Sequence, residues 1–213
     1  RLKLQFVEPG NPIPADTKLI IIPGTKSTIA DLKFLKYQGW DIDIKAHYRR
    51  GGSILGICGG YQILGNEIID DQGYDGTPSK AKGLGLLNVK TKMGKEKNLG
   101  KKEFISTING KKISGYEIHL GITSGSDCNN PFAILGNRKD GAISSNGLVM
   151  GTYLHGLFFS DEFRNNFVAK LSSEEKKEDI SFHDNIEFIL EEFVRVIEDN
   201  LDVDSILSVA RNI

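Results

Sequence analysis

The sequence predicts an α/β fold: a doubly wound, mostly parallel sheet with helices on both faces, an antiparallel β section, and C-terminal helices. Three stretches carry that expectation. Leu19-Ile20-Ile21-Ile22 is a continuous aliphatic run closed by Pro23-Gly24, as suits a central strand buried on both faces. Ser53-Ile54-Leu55-Gly56-Ile57 is a second apolar run, and the pattern turns amphipathic just after Cys58. Helical spacing between and after these runs gives the rhythm strand, helix, strand, helix.

In chain order, Leu2 to Val7 alternates like a strand, and Glu8-Pro9-Gly10 breaks it. Thr28 can cap a helix carrying Ile29, Leu32 and Leu35, with Asp31 in its first turn. Asp41 can cap the next helix, which Gly51-Gly52 ends. From Gly83 to about Val149 the segments are short and alternating, an antiparallel section whose lysines at 90 to 112 form a solvated hairpin face. Leu148 to Tyr153 is a further apolar strand that delivers Leu154-His155-Gly156 to a loop, and Ser160 can cap a helix with Phe163 and Phe167. This order is flavodoxin-like. Residues 1–171 are expected to form the main domain, and residues 172–213 a charged linker, Ser172 to Asp179, with a helical extension packed on it. Its apolar stripe of Ile186, Ile189, Leu190, Phe193, Val194 and Ile197 must bury one face.

Composition narrows the function classes. The 213 residues carry a formal net charge of -1 and no arginine-rich stretch, so no nucleic-acid partner is expected. Two cysteines, Cys58 and Cys128, are too few for a disulfide framework and fit a reducing cytoplasm. No apolar run approaches the roughly 20 residues of a membrane helix, and no leader is visible, so no membrane partner is expected. The chain starts at Arg1 and reads as an excised domain or a processed chain.

Gly56-Ile57-Cys58-Gly59-Gly60 has the G-x-nucleophile-x-G spacing of a nucleophile elbow, in which a strand enters a sharp turn and a helix leaves. A cysteine there meets the positive end of the helix dipole and free backbone N–H groups, so a thiolate is expected at Cys58. The bland reading makes Cys58 a small buried hydrophobe in a glycine-rich turn. A thiolate needs a base, and four histidines are available: His47, His119, His155 and His183. His47 lies within a helical pattern and His183 beside the charged linker. His155 follows a strand of the same sheet as the elbow and is the expected general base and acid. The oxyanion of a tetrahedral intermediate would be met by the N–H of Gly59 and by the loop at Gly24-Thr25. The chemistry is therefore acyl transfer from an amide or ester through a thioester.

Rival sites fail on spacing. Pro23 to Thr28 lacks the Gly-Lys pair and the earlier glycine of a phosphate-binding loop, and Leu19 stands where that glycine belongs. Cys58, Glu117, His119 and His155 have none of the short spacings of common metal sites, so no metal is expected. Gly83-Leu84-Gly85 lacks the third glycine and the helix of a dinucleotide fingerprint.

Five blocks now stand in order: Pro23 to Leu32, Gly56 to Gly65, Gly83 to Leu87, Gly115-Tyr116-Glu117-Ile118-His119, and Gly151 to Phe158. Together they resemble the glutamine amidotransferase domain of the cobyric acid synthase family, the corrinoid branch of class I, triad-type amidotransferases. The resemblance runs from about Leu19 to Phe167. It implies that Cys58 attacks the side-chain amide of glutamine with His155 as partner, and that Gln62 shapes the glutamine pocket. Tyr116, Glu117 and His119 would lie near that pocket, although a Tyr-x-x-His pair can equally brace a β-loop. The ammonia would serve ATP-dependent amidation of corrinoid carboxylates in cobalamin biosynthesis. No cofactor is expected in this chain. ATP and Mg2+ are expected only in an N-terminal synthetase domain outside it, where the corrinoid acceptor would also bind.

The sequence departs from most class I members at Leu157, where they carry a glutamate that orients the imidazole. Either a Cys-His dyad or a carboxylate from elsewhere, such as Glu117, is then expected. Two other readings remain open at this stage. One is an amidotransferase subunit for another acceptor, a cell-wall lipid precursor or the a- and c-carboxylates of the corrinoid; the other is a non-catalytic module that keeps the fold.

Overall fold

The computed structural model describes residues 3–171 and 181–211. The chain divides into two compact units, Arg1–Glu174 and Glu175–Ile213. The first unit runs β1 (Leu19–Ile22), α1 (Thr28–Tyr37), α2 (Trp40–Arg49), β2 (Ser53–Ile57), α3 (Gly59–Leu64), β3 (Glu67–Asp70), β4 (Ser79–Lys82), β5 (Val89–Ser106) and β6 (Lys112–Gly125). It continues with β7 (Ala133–Leu135), β8 (Arg138–Asp140), β9 (Ala142–Ile143), β10 (Val149–Thr152), β11 (Leu154–His155) and α4 (Asp161–Leu171). In the second unit, the described residues form α5 (Phe182–Asn200) and α6 (Val203–Arg211).

Two sheets organise the first unit. The smaller has the order β1-β2-β10-β9; β1, β2 and β10 are parallel, and β9 runs antiparallel to β10. Strand alternation sends Ile54 and Val149 into one core, with Ile29 and Leu32 of α1, Ile44 of α2 and Leu64 of α3. It sends Leu55 and Met150 into the other, with Phe163 and Phe167 of α4 and Phe104 of β5. β2 and β10 are thus covered on both faces, which is why they read as apolar runs, whereas β1 lies at the sheet edge with Ile21 39% exposed and is not the central strand its aliphatic run implied. The larger sheet, of order β11-β6-β5-β3-β4 with β7 and β8 beyond β5, is antiparallel except where β3 pairs with β5. The α/β class is the one the sequence implies, but the antiparallel section holds more strands than the parallel one.

Local expectations fared unevenly. Residues 3–7 form no strand, and Leu4 and Phe6 are 75% and 80% exposed, so alternation without a partner ladder did not suffice. Gly39, not Asp41, precedes α2. The Ser160 hydroxyl accepts from the Ser114 N–H at 2.9 Å, tying α4 to β6. The N-terminus of α1 takes no side-chain cap from Ser27, and Thr28 lies inside the helix. Its free N–H groups at Thr28 and Ile29 donate instead to the two carboxylate oxygens of Asp75, each at 3.0 Å. Asp75 is itself held by Asp70, whose buried carboxylate accepts from the N–H groups of Tyr74 and Asp75. The charged segment Ser172 to Asp179 lies outside the described residues. In α5, Ser181 caps the helix by accepting from the Asp184 N–H.

Candidate active site

The elbow is strained. Cys58 has φ 54 and ψ −111, and it is the one described non-glycine residue with positive φ. Such a conformation costs about 1–3 kcal/mol and persists only where the surroundings impose it. Here its N–H donates to the Thr152 carbonyl at 2.8 Å, and α3 leaves directly after it. A side chain at Gly60 would put its Cβ 2.0 Å from the Ile22 carbonyl oxygen, so only glycine lets α3 seat on the end of β1.

The second half of the site arrives from the other sheet. β11 pairs with β6 so that His155 lies opposite Tyr116 and Leu154 opposite Glu117. The rings of Tyr116 and His155 stack, with centroids 5.1 Å apart and planes 10° from parallel. Cys58 and His155 meet over Gly24: a Cβ placed there would lie 3.1 Å from Cε1 of His155 and 3.4 Å from Cβ of Cys58. The same construction at Gly59 finds the Thr25 backbone N at 3.2 Å. The loop residues Gly24 and Thr25 and the helix start at Gly59 therefore sit together beside Cys58. The hydroxyl of Thr25 donates to Asp31 and accepts from the Ser27 N–H at 3.1 Å, which fixes the loop from within.

The protonation states differ from the sequence expectation. Cys58 is only 9% exposed, and burial pushes its thiol up, against a smaller lowering by a hydrogen bond from the Gly59 N–H. Desolvation outweighs the start of a helix only six residues long. The resting thiol donates to the Ile118 carbonyl at 3.3 Å. Burial also lowers the pKa of His155, with a hydrogen bond to the same Ile118 carbonyl opposing the shift. Its Nε2 is buried without a hydrogen-bond partner. The resting pair is a thiol beside a neutral imidazole that has one nitrogen able to take a proton.

The remaining expected residues lie around this pair in different roles. Gln62 is 2% exposed; its carbonyl accepts from the Thr28 hydroxyl at 3.1 Å, and its amide donates to Leu120 and Tyr153, both at 3.2 Å. It braces α1, β6 and the Tyr153 crossing between β10 and β11, with its amide already occupied. His119 stacks on Tyr153, centroids 3.8 Å apart, and burial is the main cause of its lowered pKa. Glu117 faces away from His155: it shares its side of β6 with Ile113, in the core of Phe104 and Phe163, whereas Tyr116 shares the His155 side. Both Glu117 carboxylate oxygens accept from Arg138, at 2.8 and 2.6 Å. That corrects the suggestion that Glu117 orients the imidazole. Leu157 is buried in that same core and presents nothing polar to the ring. His47 is buried in α2 with its Nε2 on the Ser53 carbonyl at 3.0 Å.

Sequence reasoning missed Ile118, Asp75, Arg138, Asp140 and Thr152. Ile118 acts through its carbonyl, which no residue type announces. Asp75 and Asp140 work on partners remote in sequence or across a sheet change. Among the described residues, no group of three or more His, Cys, Asp or Glu side chains is close enough to hold a metal, and no helix is long and apolar enough to cross a membrane.

Comparison with known proteins places this arrangement. The profile of the CobB/CobQ-like glutamine amidotransferase domain matches residues 1–163. Cobyric acid synthase of Cereibacter sphaeroides is 48% identical over 210 residues, 99% of this chain and 43% of that protein. Cobyric acid synthase of Bradyrhizobium diazoefficiens is 49% identical over 208 residues, 98% of this chain and 43% of that protein. The chain thus spans 43% of the length of these relatives. A crystal structure of a glutamine amidotransferase aligns with TM-score 0.52 at 20% identity, covering 74% of this chain and 80% of that one. PurLQS from Thermotoga maritima aligns with TM-score 0.52 at 19% identity, covering 74% and 81%. These structural likenesses speak to the fold; the profile match across residues 1–163 decides the family, and the chain belongs to the CobB/CobQ-like glutamine amidotransferase domain family.

Proposed function

We propose that this chain hydrolyses glutamine to glutamate and ammonia through a thioester on Cys58, and that the ammonia serves amidation of corrinoid carboxylates in a cobyric acid synthase. The observation that carries the reading is the convergence of Cys58 and His155 on Gly24, 3.4 and 3.1 Å from a Cβ built there. His155 takes the thiol proton at Nε2 as the sulfur bonds the side-chain carbonyl carbon of glutamine. The oxyanion meets the N–H groups of Gly59 and of Gly24 or Thr25. The C–N bond then breaks, His155 returns the proton to the departing nitrogen, and water cleaves the thioester. The Ile118 carbonyl holds the imidazole where most class I enzymes use a glutamate, so the pair works as a dyad. Tyr116 walls the glutamine pocket, and Gln62 and His119 support it from behind.

Every residue given a role lies between Gly24 and His155, so catalysis is assigned to residues 1–171 and none to residues 172–213. ATP and Mg2+ chemistry and the corrinoid acceptor are assigned to the part of the relatives that this chain does not span. The family assignment and the 48% and 49% identical relatives support that division. The test is glutamate release from glutamine by the wild type, Cys58→Ala and His155→Ala, with and without the remaining synthetase portion of a relative. Release by the wild type alone among the three is expected; equal release by Cys58→Ala would sink the reading.

A further inference from the structure

We propose that Asp140, acting through Thr152, is the positioning residue that sets His155 against Cys58. The proposal rests on the glutaminase reading above. β10 ends at Thr152 in the parallel sheet and β11 begins at Leu154 in the antiparallel one, so the chain changes sheet across Tyr153 alone. Neither hydrogen-bond ladder fixes the angle of that crossing. Asp140 does: one carboxylate oxygen accepts from the Tyr153 N–H at 3.2 Å, and the other from the Thr152 hydroxyl. The Thr152 hydroxyl oxygen in turn accepts from the Leu154 N–H at 3.1 Å. Asp140 thereby holds Thr152 and Tyr153 directly, and Leu154 through the Thr152 hydroxyl. On its other side, the Thr152 carbonyl accepts from the N–H of Cys58. One residue is therefore clasped both to the backbone of the nucleophile and to the strand that carries its base.

The clasp is an expensive device. Thr152 is fully buried and Asp140 is 4% exposed, with Glu117 and Arg138 the charged groups acting on it. Burial dominates and pushes the carboxyl pKa up to about 6, so the ionised group weakens the fold at neutral pH. A carboxylate kept in spite of that cost points to geometry, not stability. Asp140 touches neither the sulfur nor the imidazole, so its role is positioning.

The test uses the full chain as wild type, Thr152→Val, Thr152→Ser, Asp140→Asn and His155→Ala. Iodoacetamide alkylation of Cys58 is followed against pH by mass spectrometry, beside thermal melting and glutamate release over a range of glutamine concentrations. Thr152→Val should move the alkylation profile toward that of His155→Ala. It should lower kcat roughly 10-fold or more, short of the ~100-fold that a full misplacement costs, with KM little changed. Thr152→Ser, which keeps the hydroxyl, should restore both readouts. Asp140→Asn reverses one bond of the clasp and relieves the buried charge, so it should stay folded with an intermediate profile; it decides the matter if Thr152→Val does not fold. Wild-type profiles and kcat in both Thr152→Val and Asp140→Asn, with at most a lower melting temperature, would overturn the clasp. So would coincident profiles of wild type and His155→Ala, since no pair would then need setting. If the wild type releases no glutamate even with the synthetase portion of a relative added, the reaction reading fails while the alkylation profiles still decide the clasp.

Discussion

The thiol of Cys58 donates to the carbonyl of Ile118 at 3.3 Å, and Ile118 also supplies the backbone interaction that opposes the lowering of the His155 pKa. One residue of β6 thus acts on both side chains, and burial favours the neutral form of each. Burial raises the thiol pKa and lowers that of the imidazole, so the two groups are both uncharged over the whole interval between them. Alkylation of Cys58 is therefore expected to rise with pH and reach half its maximum above the ~8.5 of a free thiol. Removing the base in His155→Ala should slow it and shift it further up. A half-maximum well below the free-thiol value would mean that a thiolate–imidazolium pair exists at rest.

Tyr116 lies against His155 through its ring and is 42% exposed. Tyr116→Phe should keep the stack and nearly all glutamate release. Tyr116→Ala gives up an aromatic contact worth about 0.5–1.5 kcal/mol, so kcat should fall by up to ~10-fold. Steady-state kinetics of the two variants checks this; equal losses would point to the hydroxyl instead.

Glu117→Gln should separate the fold from the chemistry. It discharges one member of a pair whose side chains are 4% exposed at Glu117 and 41% at Arg138. Breaking a fully buried pair costs ~3–5 kcal/mol, and the half-open Arg138 should reduce that to about 2 kcal/mol in chemical denaturation. The pH profile of Cys58 alkylation should not move, because Glu117 faces away from His155. A shifted profile would restore Glu117 as the orienting carboxylate.

Gly24→Ala inserts a methyl group 3.1 Å from His155 Cε1 and 3.4 Å from Cys58 Cβ. The first contact is tighter than side chains ordinarily tolerate, so the ring must give way by a few tenths of an ångström. Glutamate release should drop roughly 10-fold or more while the melting temperature stays close to wild type. Unchanged turnover would show that the pair does not meet over this loop.

The meeting of Cys58 and His155 was legible because each lies at the end of a strand whose pattern is local. Gly56 to Gly60 fixes the elbow at Cys58, and the apolar run before His155 ends it in the same place. Register with a distant strand was not legible. Glu117 and Tyr116 are adjacent in sequence, and only the pairing of β11 with β6 decides which of them meets His155. The cap on α1 came from Asp75, 47 residues beyond Thr28, where no local signal exists. The Leu2 to Val7 alternation misled because a strand pattern without a partner ladder buries nothing, as exposed Leu4 and Phe6 show. The charge state of Cys58 misled for an energetic reason: helix-end stabilisation is readable from spacing, whereas the desolvation that outweighs it depends on the packed surroundings.

The most direct test of Cys58 as a glutamine-directed nucleophile is covalent labelling with a glutamine-analogue electrophile, read by mass spectrometry in the presence and absence of glutamine. Labelling that approaches one per chain, on Cys58 and not on Cys128, and that glutamine slows, is the expected result. Labelling of both cysteines at equal rates, or labelling of Cys58 that glutamine leaves unchanged, would contradict it.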